Sequence, residues 1–148
     1  MKTVGLLLAA GQSRRFGASD KLMADVRGRP LIRYAADALL GLHLDERFAV
    51  VSSDDVQSAL PDFEPVVVDP ADNQQSDSLK AGLNAAQDHA ADRVLLVLGD
   101  MPLVTPQILR DVLALAGFDR ASAVTDGARR MPPACFPVSM FPNLLAMQ

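Results

Sequence analysis

The chain has 148 residues, 49% of them hydrophobic and 5% aromatic, with 14 Lys and Arg against 18 Asp and Glu for a formal net charge of −4. That is enough chain for one domain with a sizeable core; the acidic balance argues against general attraction to nucleic acid or anionic lipid, though a local basic loop can still hold phosphate. No apolar run approaches the roughly 20 residues needed to cross a bilayer, the N-terminal one is too short for a signal peptide, and the single Cys135 forbids an intrachain disulfide. A cytoplasmic protein is expected, in which Cys135 is a buried structural thiol.

Thr3 to Leu8 is a short apolar run suited to a strand buried on both faces. It ends in Ala9, Ala10 and Gly11, small residues that let a backbone come close to another group, and opens a polar loop to Lys21 that contains Ser13, Arg14, Arg15 and Gly17. A loop of this kind at the carboxyl end of a buried strand offers N–H groups and cations to an anion. The spacing fails Walker A, because Ala18 and Ser19 follow Gly17 and the lysine arrives only at position 21. It also fails the dinucleotide fingerprint, which needs three close glycines, so an NAD-dependent oxidoreductase is the weakest reading.

Leu22 to Arg29 is a connector containing Gly28, and Pro30 is placed to open a core-facing helix over Leu31 to Leu40 that stops at Gly41. Phe48 to Ser52 is a second strand, followed by a helix start at Asp54 and Asp55. Val66 to Val68 is a third, ending at Asp69, and a turn-rich stretch then leads to a helix with Leu79, Gly82, Leu83 and Ala86 on one face, for which Ser76 or Ser78 is the expected cap. Val94 to Leu98 is a fully apolar strand that delivers Gly99 and Asp100 to the same edge as the first loop, with Pro102 preventing its continuation. Met101 and Leu103 are expected in the core. A carboxylate fixed at that edge suits Mg²⁺, which takes one or two carboxylates together with substrate phosphates.

Thr105 and Pro106 open a further helix, Ser122 to Thr125 is a short strand, and Asp126 to Arg130 is a turn. The Pro-rich segment Met131 to Val138 is expected at an edge or bulge rather than in mid-sheet, and Ser139 to Met147 begins a helix. His43 and His89 are expected as exposed bystanders. The alternation of strands and helices predicts an α/β fold, a three-layer α/β/α doubly wound and mostly parallel sheet of Rossmann-like form.

The phrase LAAG, then Ser13, Arg14, Arg15, Phe16, Gly17 and Lys21, resembles the signature of the MobA-like nucleotidyltransferases within the nucleotide-diphospho-sugar transferase fold. The resemblance continues through Gly28-Arg29-Pro30-Leu31, through Ser76, Ser78 and Leu79 with Gln75 in place of the family's glycine, and through Asp100-Met101-Pro102 as the metal-binding Asp-x-Pro phrase. It implies one nucleotidyltransferase-like domain over residues 1–148, and a Mg²⁺-dependent enzyme that moves a nucleoside monophosphate from CTP or GTP to the terminal phosphate of molybdopterin. In the family the later portion continues into Gly-Asp-x-Gly-Ala-Arg, so the chain is expected to be truncated before a second aspartate.

On this resemblance Lys21, Arg15 and Asp100 are the expected catalytic groups and Asp100 the metal ligand. Leu8, Ala9, Ala10, Gly11, Ser13, Arg14, Lys21, Ser52, Asp69, Ser76 and Ser78 are the expected nucleotide contacts. The family associates LAAG with CTP, and a methyl at Ala10 is expected to narrow the space for a base, favouring CMP transfer over GMP. A molybdoenzyme or its chaperone is the expected protein partner, with no role for nucleic acid or membrane. Two alternatives use the same apparatus: a sugar-phosphate or alditol-phosphate nucleotidyltransferase, and a noncatalytic nucleotide-binding module.

Overall fold

The computed structural model describes residues 2–10, 21–69, 75–116, 122–125 and 130–146. Its centre is β1 (Thr3–Ala9), every residue of which is buried. After the short hairpin β2 (Asp25–Val26) and β3 (Arg29–Pro30) come α1 (Leu31–Leu40), β4 (Glu46–Val51), α2 (Asp54–Ser58), β5 (Glu64–Val67), α3 (Gln75–Asp88) and β6 (Arg93–Leu98). The chain closes with α4 (Pro106–Leu115), β7 (Ser122–Thr125), β8 (Arg130–Pro137) and α5 (Phe141–Leu145). Six strands form one sheet in the order β5-β4-β1-β6-β8-β7. β5, β4, β1 and β6 are parallel, and β8 runs antiparallel to both β6 and β7.

Alternation along β1 sorts its side chains between two apolar layers. Leu7 and Ala9 join Ile32, Val56 and Leu109 from α1, α2 and α4, while Val4, Leu6 and Leu8 join Leu83, Ala86 and Phe141 from α3 and α5. Helices therefore cover both faces, which is why the central strands β1 and β6 are near-continuous apolar runs. Gly82 brings α3 close to β1: a Cβ there would meet both Cδ atoms of Leu6 at 2.6 Å.

Cations at the amino edge of the sheet close the helices that return to it. Arg47 donates to the carbonyls of Leu39 in the last turn of α1 and Leu42 just after it, Arg93 to that of Leu113 in α4, and Lys2 to that of His89 after α3. Positive charge at a helix C-terminus satisfies carbonyls that lack helical partners and opposes the helix dipole.

Several boundaries differ from expectation. Pro30 pairs with Asp25 in the hairpin and stands just before α1. Arg27 and Gly28 both have positive φ, 52° and 85°, the conformation of a tight two-residue hairpin turn. Gln75 already belongs to α3, so Ser76 and Ser78 lie within its first turn and neither is the cap. The Pro-rich strand β8 is interior, between β6 and β7. Pro132 and Pro133 nevertheless fall at a register irregularity against β7, the bulge half of the expectation, with no residue paired to either, so no ladder hydrogen bond is demanded of them. Leu103 is 86% exposed and not in the core, because Asp100 to Leu103 turns away from the sheet; Met101 packs against the core only in part.

Candidate active site

The order β5-β4-β1-β6 makes β1 the point where successive crossovers change direction, the first leading to β4 on one side and the later one to β6 on the other. In such sheets the crevice for a ligand opens beyond the carboxyl ends of the strands flanking that point. The loop after β1 and the turn after β6 both leave from there.

On the β6 side, the Gly99 N–H donates to Leu8 O at 2.9 Å, carrying the β1–β6 pairing one step past Leu98. Asp100 follows at once and is exposed. On the β1 side, Lys21 opens a 3-10 turn over Lys21–Met23 and is likewise exposed, while Leu22 beside it is buried. The two turns adjoin: a Cβ placed on Gly99 would lie at van der Waals distance, 3.4 Å, from Leu22 Cδ2. A cation and a carboxylate thus stand on adjoining turns at the switch point. As a hard oxygen donor open to solvent, Asp100 suits Mg²⁺ completed by phosphate oxygens.

The other expected contacts divide. Leu8, Ala9 and Ala10 are buried, and Leu8 O is occupied by Gly99. Ala10 belongs to the apolar layer of Leu8 and Leu83, so its methyl is core packing and does not by itself narrow a base pocket. Ser53 caps α2, accepting from the Val56 N–H at 3.2 Å, which leaves half-buried Ser52 as the serine ending β4. Asp69 is exposed just beyond β5. Three strand spacings separate β5 from β6, about 14 Å at roughly 4.8 Å each, so Asp69 and Asp100 cannot share one ion but could meet opposite ends of a nucleotide. Ser78 is buried at 2% exposure, and Ser76 is the second residue of α3. Gly11, Ser13, Arg14 and Arg15 lie outside the described residues.

Among the described residues, one other group could hold a metal: Glu46, Glu64 and His89, with ligand atoms within 4.8 Å of one another. Glu46 and Glu64 open their strands, so this group sits at the amino edge, roughly 16 Å from the carboxyl edge along β4 at about 3.3 Å per residue. It cannot serve phosphate chemistry at Asp100. Within it Glu46 is already engaged, with Lys2 Nζ at 2.5 Å and His89 Nδ1 at 2.9 Å from its oxygens. The hydrogen bond from Lys2, aided by His89, holds the Glu46 carboxyl below its usual value of 4.5. His89 is thus no bystander; it also packs edge-on to Phe48, ring centroids 4.9 Å apart. Sequence spacing gave no sign of this, since the partners lie on three separate elements.

Cys135 is fully buried in β8, and burial, partly opposed by Arg93, raises its thiol to about 11. It is the inert structural thiol expected of it. Among the described residues no helix is long and apolar enough to cross a membrane.

Residues 5–148 match the family model described as the MobA-like NTP transferase domain. A molybdenum cofactor guanylyltransferase of Cereibacter sphaeroides is 34% identical over 148 residues, covering 99% of this chain and 75% of that protein. A probable molybdenum cofactor guanylyltransferase of Pyrococcus horikoshii is 34% identical over 110 residues, 74% of this chain, and the match spans only 54% of that relative. A solved nucleotidyl transferase from Methanothermobacter thermautotroptrophicus superposes with a TM-score of 0.84 at 24% identity, over 99% of this chain and 76% of that one, a likeness of fold.

Proposed function

The chain belongs to the family of MobA-like NTP transferase domains, and from that premise we propose that it acts as one nucleotidyltransferase-like domain transferring a nucleoside monophosphate from an NTP to the terminal phosphate of a molybdopterin-type acceptor. The observation that carries this reading is the contact between the Lys21 and Asp100 turns at the switch point of the sheet. An oxygen of the acceptor phosphate attacks the α-phosphorus and forms a new P–O bond; the bond from that phosphorus to its bridging oxygen breaks, and pyrophosphate leaves with the electron pair. The nucleophile is already an anion, so no general base is required. The work is positioning and charge neutralisation.

Lys21 neutralises the triphosphate as a point charge, joined by Arg15 and Arg14 from the loop after β1. Asp100 would hold Mg²⁺, which would supply positive charge to phosphate oxygens. Backbone from Ala9 through Gly11, with Ser13, Ser52, Asp69, Ser76 and Ser78, completes the nucleotide contacts.

For the base, the LAAG phrase of Leu8 to Gly11 supports CMP transfer. GMP transfer is the second reading, favoured by relatives whose names specify guanylyltransferases. This reading places the reaction in the cytoplasm, with a molybdoenzyme or its chaperone as the proposed recipient of the product; absence of any such protein on co-purification would count against that partner. The deciding experiment is pyrophosphate release with molybdopterin, Mg²⁺ and either CTP or GTP, alongside calorimetric binding of each nucleotide. Release with CTP, lost in Lys21→Ala and Asp100→Ala, supports the whole reading. Release with GTP alone transfers it to the second base, and release with neither rejects the activity.

A further inference from the structure

We infer that Leu22 and Gly99 form a packing joint that sets the relative placement of Lys21 and Asp100, and that both are positioning residues for the reaction proposed above, on whose reading this role rests. Leu22 is only 6% exposed although its neighbour Lys21 is exposed, and it packs in the same apolar cluster as fully buried Ile32 and Val97. Gly99 is the point that this cluster closes upon. A Cβ there would stand 2.5 Å from Ile32 Cδ1, 3.0 Å from Leu8 O and 3.4 Å from Leu22 Cδ2.

Two of those neighbours cannot readily yield. Leu8 O is backbone in the central strand and already accepts from the Gly99 N–H, while Ile32 is wholly enclosed in the first turn of α1. The missing side chain at position 99 therefore leaves room for Ile32 Cδ1 and Leu8 O, and Leu22, at ordinary contact distance from that position, packs with Ile32 in the same cluster. The lysine turn is held from behind as well: Ala24 N–H donates to Lys21 O at 3.0 Å, and Leu31 N–H, at the start of α1, donates to Ala24 O at 2.9 Å. With both backbones fixed, the ammonium and the carboxylate reach the phosphates from set origins. Such preorganisation stabilises developing charge without reorganisation during the reaction.

The test compares Gly99→Ala, Leu22→Ala and Leu22→Met with Val112→Ala, which opens a gap in the same apolar cluster beneath α4. Gly99→Ala and Leu22→Ala should lower kcat by on the order of 100-fold, as misplacement of about an ångström does, with KM for the nucleotide little changed. Leu22→Met, which conserves volume, should restore most of the rate. Val112→Ala should lose stability and keep its kcat. Amide hydrogen exchange gives a readout independent of turnover: Leu22→Ala should speed exchange of the Gly99 N–H, and Gly99→Ala that of the Ala24 N–H. If each variant loosens only its own turn, or if Val112→Ala loses as much kcat, there is no joint. If the unaltered chain neither binds Mg²⁺-nucleotide nor releases pyrophosphate, the functional reading fails, and the exchange experiment still decides whether the joint exists.

Discussion

Replacing Gly82 by alanine sets helix propensity against packing. In an exposed mid-helix position the change would stabilise α3 by about 0.5–1 kcal/mol. Gly82 is instead buried over the central strand, and the new Cβ would stand 2.6 Å from both Cδ atoms of Leu6 and 3.1 Å from its Cγ. Leu6 is fully buried, so it cannot move its branch into open space. Overpacking of this kind costs about 1–3 kcal/mol. Packing outweighs propensity, and a net destabilisation of about 1–2 kcal/mol is expected, read as a lower urea midpoint with an unchanged m value. The companion Leu6→Val, which removes the outer methyls, should relieve the clash. The double variant should then be more stable than the sum of the single effects by at least about 0.5 kcal/mol, as for residues in contact. A Gly82→Ala protein as stable as the original, or more so, would refute the argument.

Two further outcomes follow from titrating groups. Burial raises the Cys135 thiol to about 11, so at pH 8 it should resist a thiol reagent until the chain unfolds, and the labelling rate should follow unfolding in urea; prompt labelling of the folded protein would contradict its burial. The folded state also binds the thiol proton more tightly than the unfolded chain, so this contribution is complete below the ordinary thiol value of 9.0 and is lost as pH rises toward 11. Glu46 titrates with the opposite sign. Its folded value lies below 4.5, so its contribution is present above 4.5 and is lost as pH falls through the lowered value. Glu46→Gln should flatten the loss of stability below about pH 4.5 when acid unfolding is followed by circular dichroism, and Lys2→Ala should move that loss to higher pH.

Much of the fold was legible because its signals are local. The apolar runs at Thr3 to Leu8 and Val94 to Leu98 became β1 and β6 in the expected places, and the helix expected over Leu31 to Leu40 is α1. The cap at Thr105 accepts from the Ile108 N–H at 3.2 Å. Lys21 and Asp100 could be named as a pair because each follows a strand, and parallel strands deliver their successors to one edge. Errors arose where a residue's environment depends on distant chain. Leu103 looked like core by its type, but the turn away from the sheet leaves it in solvent. The methyl of Ala10 looked like a pocket wall, but strand alternation turns it into the layer beneath α3 and α5.

The sequence by itself determined which residues form strands and helices, and which charged residues leave the carboxyl edge, since periodicity, caps and apolar runs act over a few residues. Only the tertiary structure decided who meets whom. It brought Glu46 to Lys2 and His89, gave Pro132 and Pro133 an unpaired stretch inside the sheet, and set Leu22 beside Gly99. Those contacts join elements far apart along the chain. Their geometry is set by how helices of particular side-chain volume seat on a twisted sheet, which no local pattern encodes.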